Sequence, residues 1–346
     1  MSVYFAPNDN WLAWLGKLEG YAIFAPASTR QSGGSWLERF DPAAGKLPDL
    51  DKPRAAQSPK GFFLPPIEAI ARYGQDAQAP QVAAQQALVL GVRNCELRAL
   101  AYFDKVMLAG CGEEPQYKAR RQAATIASCD CVDCAATCHC TLVGGQPFVQ
   151  AGSDVNLTAL AGGVLVEPLS PRGEALLAGA NFAPAADAQL QQRQQLRQQM
   201  LDRLAKQNKA YTYARAETQA VDMPEMADEG WQKFAADCVE CGACTNVCPT
   251  CYCFYLFDHK LNPNTFERGR NWDSCLLATY HRMAGTPGMK MSPRPELRNR
   301  LANRILHKMV YSVQQYGMLG CVGCGRCCDA CLGAIDIREV VEGLKK

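Results

Sequence analysis

Residues 237–258 read DCVECGACTNVCPTCYCFYLFD and place six cysteines between positions 238 and 253. Their spacing is Cys238-x2-Cys241-x2-Cys244-x3-Cys248-Pro249, and it returns downstream as Cys321-x2-Cys324-x2-Cys327-x3-Cys331. Three thiolates set three residues apart can wrap one side of an iron–sulfur cube from a short looped backbone, whose N–H groups then point at the sulfides. In paired runs of this kind the fourth cysteine of each run ligates the other cluster. The spacing therefore predicts one [4Fe–4S] cluster on Cys238, Cys241, Cys244 and Cys331, and a second on Cys321, Cys324, Cys327 and Cys248. Zinc, which favours paired C-x-x-C knuckles, is a poor match to two triple runs. Leu332 stands where the first run has its proline, and Cys328 is an extra thiol. Cys251 and Cys253 are left over; with Cys275 they read as packed thiols around the two clusters, or else as ligands of an additional centre.

The chain has 346 residues and 19 cysteines, long enough for about two domains and a sizeable core without covalent staples. Cysteine is therefore present for chemistry. The N-terminus, MSVYFAPNDNWLAWLGKLEG, lacks the cationic and apolar regions of a secretory signal, and no apolar run is long enough to span a membrane. The expected compartment is the cytoplasm, where dense cysteine reads as metal binding because disulfides are reduced. Lys and Arg total 36 against 34 acids, which gives no electrostatic case for nucleic acid. Four histidines supply little for acid–base catalysis, and no G-x-G-x-x-G turn, P-loop or catalytic triad is visible.

The cysteines fall in two groups, seven between 95 and 140 and twelve between 238 and 331, which implies two modules. We expect an α+β protein. A mixed α/β domain over 1–180 precedes a linking amphipathic helix within 181–225 and an α-helical ferredoxin-like domain with two [4Fe–4S] clusters over 226–346. In the first domain, YAIFAPA (21–27), ALVLGV (87–92), TIAS (125–128) and GGVLVEPL (162–169) read as strands, with a helix following the turn at 93–95. The stretch PKGFFLPPIEAIARYG (59–74) reads as an exposed turn entering a short helix. Arg294, Arg298, Arg300, Arg304 and Lys308 form a basic run that reads as a solvated helix face or as a dock for an acidic partner.

The first domain carries its own thiol array. SCDCVDCAATCHC contributes Cys129, Cys131, Cys134, Cys138 and Cys140, and the turn GVRNCELRAL adds Cys95. A further cluster, a zinc site and a reactive dithiol such as Cys131-x2-Cys134 are all compatible with it, and spacing does not select the ligands.

The runs CVECGACTNVCPTCYCFYLFD and CVGCGRCCDAC, the intervening RGRNWDSC, the turn GVRNCELRAL, and CHCTLVGG followed by GGVLVE resemble the iron–sulfur electron-transfer component of anaerobic sulfite reductase and the beta subunit of sulfhydrogenases. The resemblance implies a helical cluster domain and a non-catalytic iron–sulfur subunit of a hetero-oligomeric oxidoreductase. Its partners would be a flavin-containing subunit that reacts with NAD(P)H, and a catalytic hydrogenase or reductase subunit. The resemblance also places Cys95, Cys131, Cys138 and Cys140 on a third [4Fe–4S] cluster, with Cys129 and Cys134 as substitutes. The alternative is a reductase acting on a sulfur substrate or disulfide at an open-site cluster held by the surplus cysteines.

Overall fold

A computed structural model describes residues 2–28, 34–74, 77–78, 80, 85–110, 112–283 and 292–346; Cys111 lies outside them. Eleven strands follow one another among the described residues: β1 (Tyr4–Pro7), β2 (Ala22–Ala27), β3 (Trp36–Arg39), β4 (Ile67–Gly74), β5 (Ala87–Val92), β6 (Ala124–Cys129), β7 (Val155–Leu160), β8 (Gly163–Pro168), β9 (Ala183–Pro184), β10 (Phe254–Asn262) and β11 (Thr265–Trp272). The chain divides into two compact units that do not follow chain order. One comprises Met1–Pro59, Ala83–Ala210 and Val322–Cys324; the other comprises Lys60–Val82, Tyr211–Cys321 and Gly325–Lys346.

The first unit is built on an eight-stranded sheet in the order β3-β2-β5-β6-β7-β8-β1-β9. Strands β2, β5, β6 and β7 run parallel, and the other neighbours are antiparallel. Every residue of β5, ALVLGV, is buried, as a central parallel strand covered on both faces requires. Trp11, Leu15, Ile23, Leu88, Leu90, Leu157 and Val166 form the core on one face. After β5 the chain turns at Arg93 into the helix Asn94–Met107, where the Glu96 carboxylate accepts the Arg93 N–H at 2.8 Å. The amphipathic helix Asp187–Gln207 belongs to this unit and buries Met200 and Leu204.

The second unit holds the helices Trp231–Ala235, Leu297–Leu306, Ser312–Tyr316 and Ile337–Leu344. It also holds a three-stranded sheet in the order β10-β11-β4, where the sequence leads one to expect a mostly helical domain. Two local reasons account for the difference. Residues 254–272 include Phe254, Tyr255, Phe257, Phe266 and Trp272, aromatic side chains that favour strands, and pair as a hairpin, closed where Asn264 N–H donates to the Asn262 side chain at 3.0 Å. The residues expected to enter a short helix at 67–74 instead form β4, paired antiparallel with β11; so short an apolar pattern does not separate helix from strand, and the available backbone partner decides.

The basic run is also different from either expectation. Arg300, Arg304 and Lys308 are 3%, 5% and 5% exposed. They turn inward to loop carbonyls and hydroxyls. Arg300 donates to the carbonyls of Leu276 at 2.9 Å and Pro295 at 2.6 Å, and its Nη2 pairs with Glu240 at 2.8 Å. Past Leu306 the helix widens into a π-helical turn, His307–Tyr311, which carries Lys308.

Candidate metal centres

Cys238, Cys241 and Cys244 surround a tight turn at Gly242, whose φ of +69° is the left-handed region glycine tolerates and whose α-carbon faces Ser274. The same three thiols and Cys331, from the distant second run, line one cavity of the second unit, with Cys327, Arg304, Leu301 and Ile305 among its walls. The four residues expected to hold the first cluster are thus brought together. The Ile335 N–H donates to Cys331 Sγ at 3.3 Å, a backbone donor of the kind that tunes cluster sulfurs. Arg304 Nη2 reaches the Cys244 carbonyl at 3.4 Å, while its Nε is buried without a hydrogen-bond partner. Burial raises the Cys244 thiol, and the Arg304 charge opposes that rise.

Cys248 is held differently. Its Sγ lies 3.3 Å from Thr250 Oγ1, and the Thr250 hydroxyl donates to the Gly320 carbonyl at 2.5 Å. Gly320 immediately precedes Cys321, so one buried side chain fastens the end of the first run to the start of the second. Lys308 Nζ donates to the same hydroxyl at 2.7 Å. A hydrogen bond from Cys251 draws the Cys248 thiol well below its ordinary value, with Lys308 and Arg304 acting in the same direction. The hydrogen bond from Cys328 lowers Cys327 to about 6, with help from Arg304 against the opposing effect of burial.

Cys324, expected on that second cluster, lies with the first unit. There it lines a cavity together with Cys95, Cys131, Cys134, Cys138, Cys140, Arg93 and Arg54. The cavity opens at the carboxyl ends of the parallel strands β5 and β6, the edge where open α/β sheets bind their ligands. Arg54 Nε donates to the Cys324 carbonyl, and Cys138 Sγ lies 3.8 Å from it. All four residues that the resemblance assigns to a third cluster line this cavity, and so does Cys134. Cys129 does not; it is 1% exposed within the sheet core, with Sγ 3.6 Å from the Leu50 carbonyl. Burial raises Cys140 to about 12 and Cys134 to about 11, and the nearby Cys138 adds to both shifts. Burial also disfavours charge on Arg93, but Cys129, Cys131, Glu96 and Cys95 outweigh it and hold the guanidinium ionised.

The remaining thiols pair off. Cys253 meets Cys275 and Tyr280 at the end of the β10–β11 hairpin, and the hydrogen bond from Cys275 lowers Cys253 to about 6. Cys328 Sγ lies 3.4 Å from Asp336 Oδ1. Sequence reading missed Arg93, Thr250 and Lys60. Thr250 stands inside CPTC and Arg93 directly before Asn94-Cys95, so adjacency to cysteine was the available signal. For Lys60 there was none.

The donor sets of these two cavities fit iron–sulfur clusters. They are thiolate-rich, with an unpartnered guanidinium nitrogen on the wall of the first cavity. Among the described residues no three His, Cys, Asp or Glu side chains close on a single-ion position.

A family model described as a 4Fe-4S dicluster domain matches residues 237–335. Sulfhydrogenase 2 subunit beta of Pyrococcus furiosus is 29% identical over 304 residues, covering 85% of this chain and 86% of the relative. No solved structure matches the chain. Site and comparison together define an iron–sulfur protein with a C-terminal dicluster domain. More particularly, the chain is similar to a sulfhydrogenase beta subunit over most of its length, and the two comparisons support an iron–sulfur electron-transfer subunit.

Proposed function

We propose that the chain relays electrons through three [4Fe–4S] clusters. The first is held by Cys238, Cys241, Cys244 and Cys331, the second by Cys321, Cys324, Cys327 and Cys248, and the third by Cys95, Cys131, Cys138 and Cys140. The observation that carries this reading is the cavity in which Cys331 joins the three thiols of a run more than eighty residues earlier. The Thr250 bridge between Cys248 and Gly320 supports the reciprocal exchange. Iron–sulfur clusters supply one-electron chemistry at potentials set by hydrogen bonds, charge and solvent exposure. The chain's own residues supply the thiolates, backbone donors such as Ile335 N–H, and cations such as Arg304 and Arg93.

In this reading the protein works in the cytoplasm within a hetero-oligomer, between a flavin-containing subunit that reacts with NAD(P)H and a catalytic subunit of the hydrogenase or sulfite-reductase type. The relative's being a numbered beta subunit supports an assembly. No helix among the described residues is long and apolar enough to cross a membrane. The test is iron and acid-labile sulfide in anaerobically purified protein. About twelve irons per chain support three clusters, about eight remove the third, and about four overturn the dicluster ligand sets.

A further inference from the structure

Three buried cations converge on the thiols around Cys248, and one of them arrives from far away in the sequence. Lys60 is 3% exposed. Its Nζ donates to the carbonyls of Asn246 at 2.9 Å, Cys251 at 3.3 Å and Thr245 at 3.5 Å, and lies 3.7 Å from the centre of the Trp272 ring. It therefore clasps the turn that joins Cys244 to Cys248 and the residue three beyond. Burial lowers the Lys60 ammonium to about 8, and the thiols of Cys251, Cys248 and Cys253 oppose that shift. Lys308 reaches Cys248 through one hydroxyl, with Nζ 2.7 Å from Thr250 Oγ1 and that oxygen 3.3 Å from Cys248 Sγ. Arg304 donates to the Cys244 carbonyl at 3.4 Å, and its charge acts on both Cys244 and Cys327.

The surroundings of the other ligand set are different. Cys241 is exposed and Cys238 and Cys331 are half-buried, whereas Cys248 and Cys321 are buried. The Glu240 carboxylate, paired with Arg300 at 2.8 Å, acts on Cys238, and among the charged side chains on that cavity is Arg304. Reduction adds negative charge to a cluster. A nearby buried cation favours the reduced form and a nearby carboxylate disfavours it, and the effect is strongest where water is excluded.

We propose that Lys60 and Lys308 are potential-setting residues that make the cluster bound by Cys248 the higher-potential member of the dicluster pair. The inference rests on the ligand sets proposed above. Lys60 and Lys308 act through the field, Lys308 from the Thr250 hydroxyl that lies 3.3 Å from the Cys248 sulfur; neither contributes a ligand. Electrons entering the pair settle on the buried cluster, and the exposed one exchanges electrons at the surface.

The test is an anaerobic redox titration of the full chain in its native complex, followed by electron paramagnetic resonance. The signal of the Cys248 cluster is identified by its change in Cys321→Ser. Lys60→Met is expected to move that signal alone to lower potential, so that at its original midpoint the reduced-to-oxidised ratio falls about tenfold, a shift of about 59 mV for one electron. Lys60→Arg is expected to restore it. Lys308→Met gives the same readout if Lys60→Met binds less iron. Midpoints that stay in place in both variants at full iron content, or a shift shared equally by both clusters, overturn the inference. Wild-type protein with iron for one cluster alone overturns the ligand sets themselves, and iron analysis shows that separately.

Discussion

Gly323 shows how little room the thiol array leaves. Its φ is +68°, and a β-carbon built there falls 2.4 Å from the Cys140 α-carbon, a backbone atom that cannot swing aside. Its carbonyl accepts the His139 N–H at 2.8 Å, which fixes the loop against the residue next to Cys140. Gly323→Ala therefore combines a left-handed penalty of about 1–3 kcal/mol with a backbone clash. The expected outcome is loss of about four irons per chain together with a lower unfolding temperature; full iron and an unchanged melting curve would show that the loop can shift. Its place between Cys321 and Cys324 is plain in the sequence. What the glycine approaches, the backbone of Cys140 some 180 residues away in sequence, was not legible.

At the scale of elements, the helix Asp187–Gln207 acts as a lid on the thiol cavity. Met200 and Leu204 pack against Cys134, Cys138 and Cys140. Gln207 Nε2 and Asn208 Nδ2 donate to the Cys138 carbonyl at 2.6 and 3.0 Å, and Arg203 pairs with Asp133 at 2.5 Å. Leu204 is 1% exposed, so Leu204→Ala opens a cavity at a cost of about 2–5 kcal/mol. Denaturant unfolding should show that loss, and exposure to air should bleach the third cluster's absorbance faster than in wild type; equal bleaching rates would mean the helix does not shield the array. Periodic leucines made the helix itself readable, because an amphipathic stripe is a local property. The strand β4 was not readable, because its partner β11 lies about two hundred residues downstream. The basic run shows the same limit: charge spacing is written in the sequence, but burial of Arg300, Arg304 and Lys308 depends on which loops fold over the helix.

For the whole molecule, the consequence is that each cysteine run depends on the other. If Cys331 completes the set of Cys238, Cys241 and Cys244, then Cys331→Ser should alter the resonance signal of that cluster and leave the signal altered by Cys321→Ser in place. Cys248→Ser should do the reverse. If Cys331→Ser and Cys321→Ser change the same signal, each run binds its own cluster and the crossed assignment fails. The chain serves both units in alternation: Lys60–Val82 departs to the second unit and Val322–Cys324 returns to the first. Cys324 is therefore the residue where ligand spacing and unit membership meet. Spacing assigns it to the second cluster, and the fold sets it on the cavity of Cys138 and Cys140.

The sequence by itself determined the cofactor class and the dicluster ligand candidates, because a cluster-binding loop is a local object whose spacing is written along the chain. It also determined the strands β2, β5, β6 and β8 and the helix after β5, which follow from apolar runs and near-helical periodicity, but not β7. Only the tertiary structure decided that Lys60 lies among the thiols, that Thr250 joins Cys248 to Gly320, that Arg300, Arg304 and Lys308 are buried, and that Cys129 is core. Those are matters of burial and of contact between residues remote in sequence, and the electrostatics of a buried charge depends on what the fold packs around it.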